Sequence, residues 1–107
     1  MRVYDYKPKG WKGQINVKIP IYPQRMKYIK ESGLNVGSEV DLADQVEALI
    51  KLVEIASKHV EGVKIEKGDE KIESWADLLA SDHNDIIETI AAMMIKGGSV
   101  GEALGRR

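Results

Sequence analysis

The 107-residue sequence contains no cysteine, no phenylalanine and only three prolines. The first absence excludes disulfides, thiolate metal centres and thiol catalysis. The second leaves two tryptophans and four tyrosines to supply all the aromatic bulk. Long apolar runs are missing too. The longest, "IAAMMI" at 90–95, falls far short of the roughly 20 residues that a membrane helix needs. "MRVYDYKPKG" at the start lacks the apolar segment of a secretory signal. These absences predict a cytoplasmic protein with no membrane contact.

Catalytic signatures are also missing. There is no Gly-x-Ser-x-Gly elbow, and "GGSVGEALG" at 97–105 matches neither phosphate-cradling glycine pattern. "SDHND", Ser81 to Asp85, lacks the alternating acids and glycine turn of a calcium loop. A helix start explains it better, with Ser81 or Asp82 as cap and Asp85 in the first turn, where the helix dipole favours a carboxylate. The carboxylates of "KGDEKIES" sit among lysines in a turn, where nothing separates their acidities for acid–base work. Neither His59 nor His83 has a nucleophile beside it in sequence. The expectation is a non-enzyme with no cofactor and no metal.

An apolar content of 43% and a charged content of 31% describe a single globular domain. A net charge of −1 hides a strong asymmetry. Residues 1–30 hold eight basic residues against one acid, and residues 31–107 hold eight against sixteen. The chain divides into a basic hairpin plus short helix (1–32), an acidic helical part (33–96) and a flexible tail (97–107). Such a split describes either two mutually attracting halves or an electrically polar molecule.

Val3, Tyr4 and Tyr6 precede a Pro- and Gly-bearing turn, and Ile15, Val17, Ile19 and Ile21 then alternate. This predicts a β-hairpin with one buried face. Pro23 suits a helix start, and Gly33 suits its end. Tyr22, Met26 and Ile29 share one helical face, which reads as the inward one. The strongest amphipathic pattern spans 41–60, with Leu42, Val46, Leu49, Ile50, Val53, Ala56 and Val60 at helical spacing. Glu47 and Lys51 fall at i, i+4, a favourable pairing. "GVKIEKGDEKIES" reads as a second small hairpin near 63–72, with a charged loop as the competing reading. Ser74 in "SWAD" marks a helix start, with Trp75, Leu78 and Leu79 inward. A last helix over about 84–96 carries Ile86, Ile87, Ile90, Met93 and Met94. The predicted fold is α+β and mainly helical, an N-terminal hairpin packed on three to four helices.

Three functional surfaces follow from these patterns. Arg25, Lys27 and Lys30 put positive charge on the first helix, although Arg25 and Lys27 diverge by about 200° and form no single stripe. Lysines interleaved with Tyr4, Tyr6 and Trp11 would suit single-stranded nucleic acid, but the pI of about 6.1 argues against a nucleic-acid partner. Adjacent Met93 and Met94 cannot both face one core squarely, so one of them is a candidate contact for another chain. Val100 and Leu104 in the tail are further candidates.

The order of segments "VKIPIYPQRMKYIKE", "VEALIKLVEIASKHVEGVKI", "KIESWADLLA" and "IIETIAAMMIKGGSVGEALG" resembles that of the small tail assembly chaperones of tailed bacteriophages. The resemblance implies a non-enzymatic protein of the host cytoplasm that self-associates, coats the tape-measure protein and helps recruit tail-tube subunits. It also implies that the C-terminal segment borders any frameshifted extension. The alternatives are a small nucleic-acid-binding protein and a minor virion component.

Overall fold

A computed structural model describes residues 2–34 and 45–96 of the chain. The N-terminal hairpin forms as its alternation dictates, from β1 (Arg2–Tyr6) and β2 (Lys12–Ile19). Ile15, Val17 and Ile19 are buried on one face of β2, and Lys12 and Lys18 are exposed on the other. Gly13 allows β2 to run close to its neighbour. Its φ is 94°, and a Cβ there would sit 2.0 Å from the Lys64 carbonyl oxygen. No other residue fits that approach.

The predicted second hairpin is present as β3 (Val60–Lys67) and β4 (Glu70–Ile72). It is not a separate unit, because β3 pairs antiparallel with β2. The result is one four-stranded antiparallel sheet in the order β1-β2-β3-β4. This corrects the expectation of a mainly helical protein. Helix and strand account for 47% and 28% of the described residues. A bulge near the start of β3 interrupts its alternation, so the sequence pattern shows this strand only from about residue 63. Asn16 pairs with Gly62 and Val17 with Val60, which leaves Glu61 as the extra residue.

Between β2 and β3 lie α1 (Tyr22–Ser32) and α2 (Val46–Ala56). Pro23 stands in the first turn of α1, and Gly33 ends it in the left-handed conformation. The helix expected over 41–60 ends at Ala56, and residues 41–44 lie outside the described residues. Its last predicted apolar position, Val60, opens β3 instead. Glu47 and Lys51 make no ion pair among the described residues, so the expected i, i+4 pairing is not formed. After β4, α3 (Trp75–Leu79) begins where Ser74 Oγ accepts the Asp77 backbone N–H at 3.0 Å. Leu78 is buried as expected, but Leu79 is 43% exposed.

The last helix, α4 (Asn84–Lys96), has the boundaries its periodicity predicts. It packs against α2, α1 and β2. Neighbours on several sides explain why its apolar arc is so wide. At about 100° per residue, Ile86, Ile87, Ile90, Ala91, Met93 and Met94 cover about 160° of the helix. All six are buried. These side chains meet Ile15, Val17, Ile65 and Leu52 in a single aliphatic core.

Candidate interaction surface

Met93 and Met94 are both fully buried, with 0% exposure. The expectation that one of them would face a partner is therefore corrected. A helix covered from more than one direction buries adjacent residues, because each can point into a different packing layer. Val100 and Leu104 lie outside the described residues.

The three basic candidates all stand on α1. Arg25 is half-buried, donates from Nη1 to the Pro20 carbonyl at 2.8 Å, and stacks over the Tyr22 ring at 5.6 Å. Lys27 is exposed and lies 3.8 Å from Glu31. Lys30 is exposed and carries no ion pair among the described residues.

The inward face of α1 is not the predicted one. Tyr22 is 63% exposed and Met26 47% exposed. Tyr28 and Ser32 turn inward instead. Polar partners reward that choice. Tyr28 and the buried His59 form a hydrogen bond of 2.9 Å, and their rings meet edge-on at 5.5 Å. His59 Nδ1 lies 2.9 Å from the Lys18 carbonyl, which can only accept, so Nδ1 carries the proton and donates. Nε2 then accepts from the Tyr28 hydroxyl. The His59 carbonyl also accepts the Lys18 N–H at 2.7 Å. His59 thus fastens α1 to β2, and sequence periodicity cannot see a polar bridge of this kind. Burial, together with the charge of Glu31, holds the Tyr28 phenol above its usual ionisation range.

On α2 the expected inward stripe holds in part: Ala56 is buried and Leu49 and Val53 pack against the core, while Val46 and Ile50 do not. Ala48, Leu52 and Ala56 are buried, while Val46 is 60% and Ile50 54% exposed. Leu49, Val53 and Ile55 pack against the core from the flanks of the helix, and only Val46 and Ile50 of its large apolar residues are exposed. Ile21, just before α1, is exposed as well, against expectation.

Apart from the exposed Tyr22, over whose ring Arg25 lies, the aromatic residues of the N-terminal third turn toward the core while its lysines stay outside. Tyr4, Tyr6, Trp11 and Tyr28 pack against the core, whereas Lys7, Lys9, Lys12 and Lys18 are exposed. Burial raises the Tyr6 ionisation range, Asp85 adds to this, and a hydrogen bond with Thr89 opposes it. No interleaved platform for bases is formed. The outer face of the sheet carries a concavity of about 560 Å³ whose three lysines, Lys12, Lys64 and Lys71, are interspersed with Glu66 and Glu73. Lys12 faces Glu66, and Glu66 faces Lys71, across the strands. That mixed charge favours no polyanion.

The "SDHND" segment is a joint between helices. Ser81 Oγ donates to the Leu78 carbonyl at 2.6 Å and accepts the His83 N–H at 3.3 Å. It therefore serves the end of α3 and does not cap α4. Asp85 stands in the first turn of α4 as expected. His83 sits 2.9 Å from Glu70 and edge-on to Trp11 at 4.8 Å, linking this joint to both hairpin ends. Among the described residues no cluster of three or more metal-ligating side chains occurs. None of the described helices is long and apolar enough to cross a membrane. Comparison with family models, curated proteins and solved structures finds no match.

The two outer helices leave two separate pairs of apolar side chains exposed. Tyr22 and Met26 on α1, and Val46 and Ile50 on α2, are large side chains held on rigid helices and left exposed.

Proposed function

We propose that this chain is a non-enzymatic protein-binding and assembly factor of the cytoplasm. The observation that supports it is that Tyr22 and Met26 on α1, and Val46 and Ile50 on α2, are large apolar side chains left exposed. Arg25, Lys27 and Lys30 beside the α1 strip add positive charge that favours partners with acidic as well as apolar side chains. The resemblance to phage tail assembly chaperones names such partners as the tape-measure and tail-tube proteins and a second copy of the chain.

Co-expression with a tape-measure protein from the same source genome tests this. A soluble complex is expected on gel filtration, and Tyr22→Asp with Met26→Asp should abolish it. A tape-measure protein left insoluble and unbound would contradict the proposal. So would firm, salt-sensitive retention of single-stranded oligonucleotide that is lost when Lys9, Lys12 and Lys18 become Glu. The second result would transfer the role to nucleic acid.

A further inference from the structure

The underside of α1 is polar. Its residues that are not exposed are Gln24, Arg25, Tyr28, Ile29 and Ser32, and of these only Ile29 is wholly aliphatic. Gln24 Oε1 is buried without a hydrogen-bond partner, which makes the closed position of the helix costly. Ser32 Oγ donates within its own helix, to the Ile29 carbonyl at 3.0 Å. Arg25 reaches only as far as the Pro20 carbonyl, just before the helix. The hydrogen bond from α1 to the body of the fold runs from the Tyr28 hydroxyl to His59. Tertiary burial of an apolar face is what keeps most helices in place, and eleven residues alone make a marginal helix in water.

Both ends of α1 suit a pivot. Pro20 is fully buried and anchors the end of the β2 segment, whereas Ile21, the next residue, is extended and exposed. Gly33 follows the helix at a φ of 73°, with nothing within 4 Å of a Cβ position. We propose that α1 is a strap that opens as a unit while the sheet, α2 and α4 stay folded, turning at Ile21 and Gly33 and latched shut by Tyr28 on His59. Opening uncovers His59, 5% exposed in the closed form, and the sides of α2 and α4 against which α1 packs. A ligand that takes this uncovered side holds the strap open, because it binds one of two states. The proposal concerns the surface beneath α1 and does not depend on the protein-binding reading of the strip above it.

Residue-resolved hydrogen exchange of the full chain at low urea concentrations tests this. The helical amides of α1 from Arg25 to Ser32 should be at least about 100-fold less protected than the slowest amides of β2 and α4. Their urea dependence should be weaker, because a local opening exposes less surface. Tyr28→Phe should speed them about five-fold. Gln24→Met, which keeps the side-chain length and removes the orphan acceptor, should slow them. Ile65→Val alters the core where Ile65 lies opposite Gly13, at the other end of β2 from α1. It should speed the slowest sheet amides several-fold and leave the α1 amides unchanged, since closed and open forms share that defect. Protection of α1 equal to that of α4, with the same urea slope, would overturn the proposal. So would α1 amides that ignore Tyr28→Phe, or that speed up in Ile65→Val as much as the sheet does, which marks global unfolding.

Discussion

Helices α4 and α1 use apolar residues in opposite ways. In α4, the six residues from Ile86 to Met94 that make its apolar arc are buried, and its boundaries follow from its periodicity. In α1, the predicted inward residues Tyr22 and Met26 are exposed, while Tyr28 and Ser32 take the inner side. The difference comes from the number of neighbours. Helix α4 is covered by the sheet and by two helices, so nearly any apolar position on it finds a packing partner. Helix α1 has a narrow covered side, held by a tyrosine–histidine hydrogen bond as well as by apolar packing. An apolar stripe therefore marks the core only where the helix is enclosed. On an outer helix part of it stays exposed.

The largest expected effect separates the two helices by one substitution in each. Met94→Asp places a carboxylate in a site with 0% exposure. It should cost about 4 kcal/mol or more, enough to unfold a small domain. Met26→Asp, on the exposed flank of α1, should change stability by less than about 0.5 kcal/mol. Thermal and urea melts of both variants check this, and equal losses would erase the distinction between core and surface stripes.

A smaller loss should follow from Gly13→Ala. The added methyl meets the Lys64 carbonyl, and the φ of 94° already present at this site is one that alanine rarely adopts. A cost of at least about 2 kcal/mol is expected, read as a drop in the urea midpoint. Gly33→Ala, at the exposed end of α1 with nothing near its Cβ position, should cost about 1 kcal/mol from the φ alone.

The smallest effect concerns the tie between α1 and the sheet. Tyr28→Phe should cost about 1 kcal/mol, because His59 Nε2 loses its buried donor. It should also flatten the alkaline limb of the stability profile. Tyr28 and Tyr6 both ionise at higher pH when folded than when unfolded. The folded state then holds more protons, so stability is intact below a tyrosine's ordinary value of about 10 and falls as pH rises through it. Urea midpoints across that range should fall less steeply in Tyr28→Phe than in the wild type.

Much of this fold could be read in the residues, for reasons that differ by element. Alternation in Ile15, Val17 and Ile19, the capping serine at 74, and the glycine and proline at the ends of α1 each act locally, and each was legible. The joining of the two hairpins was not. Pairing of β2 with β3 spans the whole helical excursion, and the bulge at Glu61 disguises the alternation that would have advertised it. Of the proposed contact residues, Arg25, Lys27 and Lys30 do lie on the outward-facing helix. Met93 and Met94 do not, because adjacency on a helix rules out double burial only when packing comes from one side. The exposed strip of α2 was hidden by its own strength. Val46 and Ile50 match the amphipathic pattern so well that they read as core, and only the burial of Ala48 and Leu52 shows how far the inward side is turned from them.

The central claim is that the apolar strips on α1 and α2 serve contact between molecules and not the fold. Light scattering across a concentration series, with a thermal melt of the same samples, measures both halves of it for the wild type and for Met26→Ser with Ile50→Ser. The account predicts an unchanged melting temperature in the dilute variant, with association lost. A variant that melts well below the dilute wild type, or that associates as strongly, would contradict it.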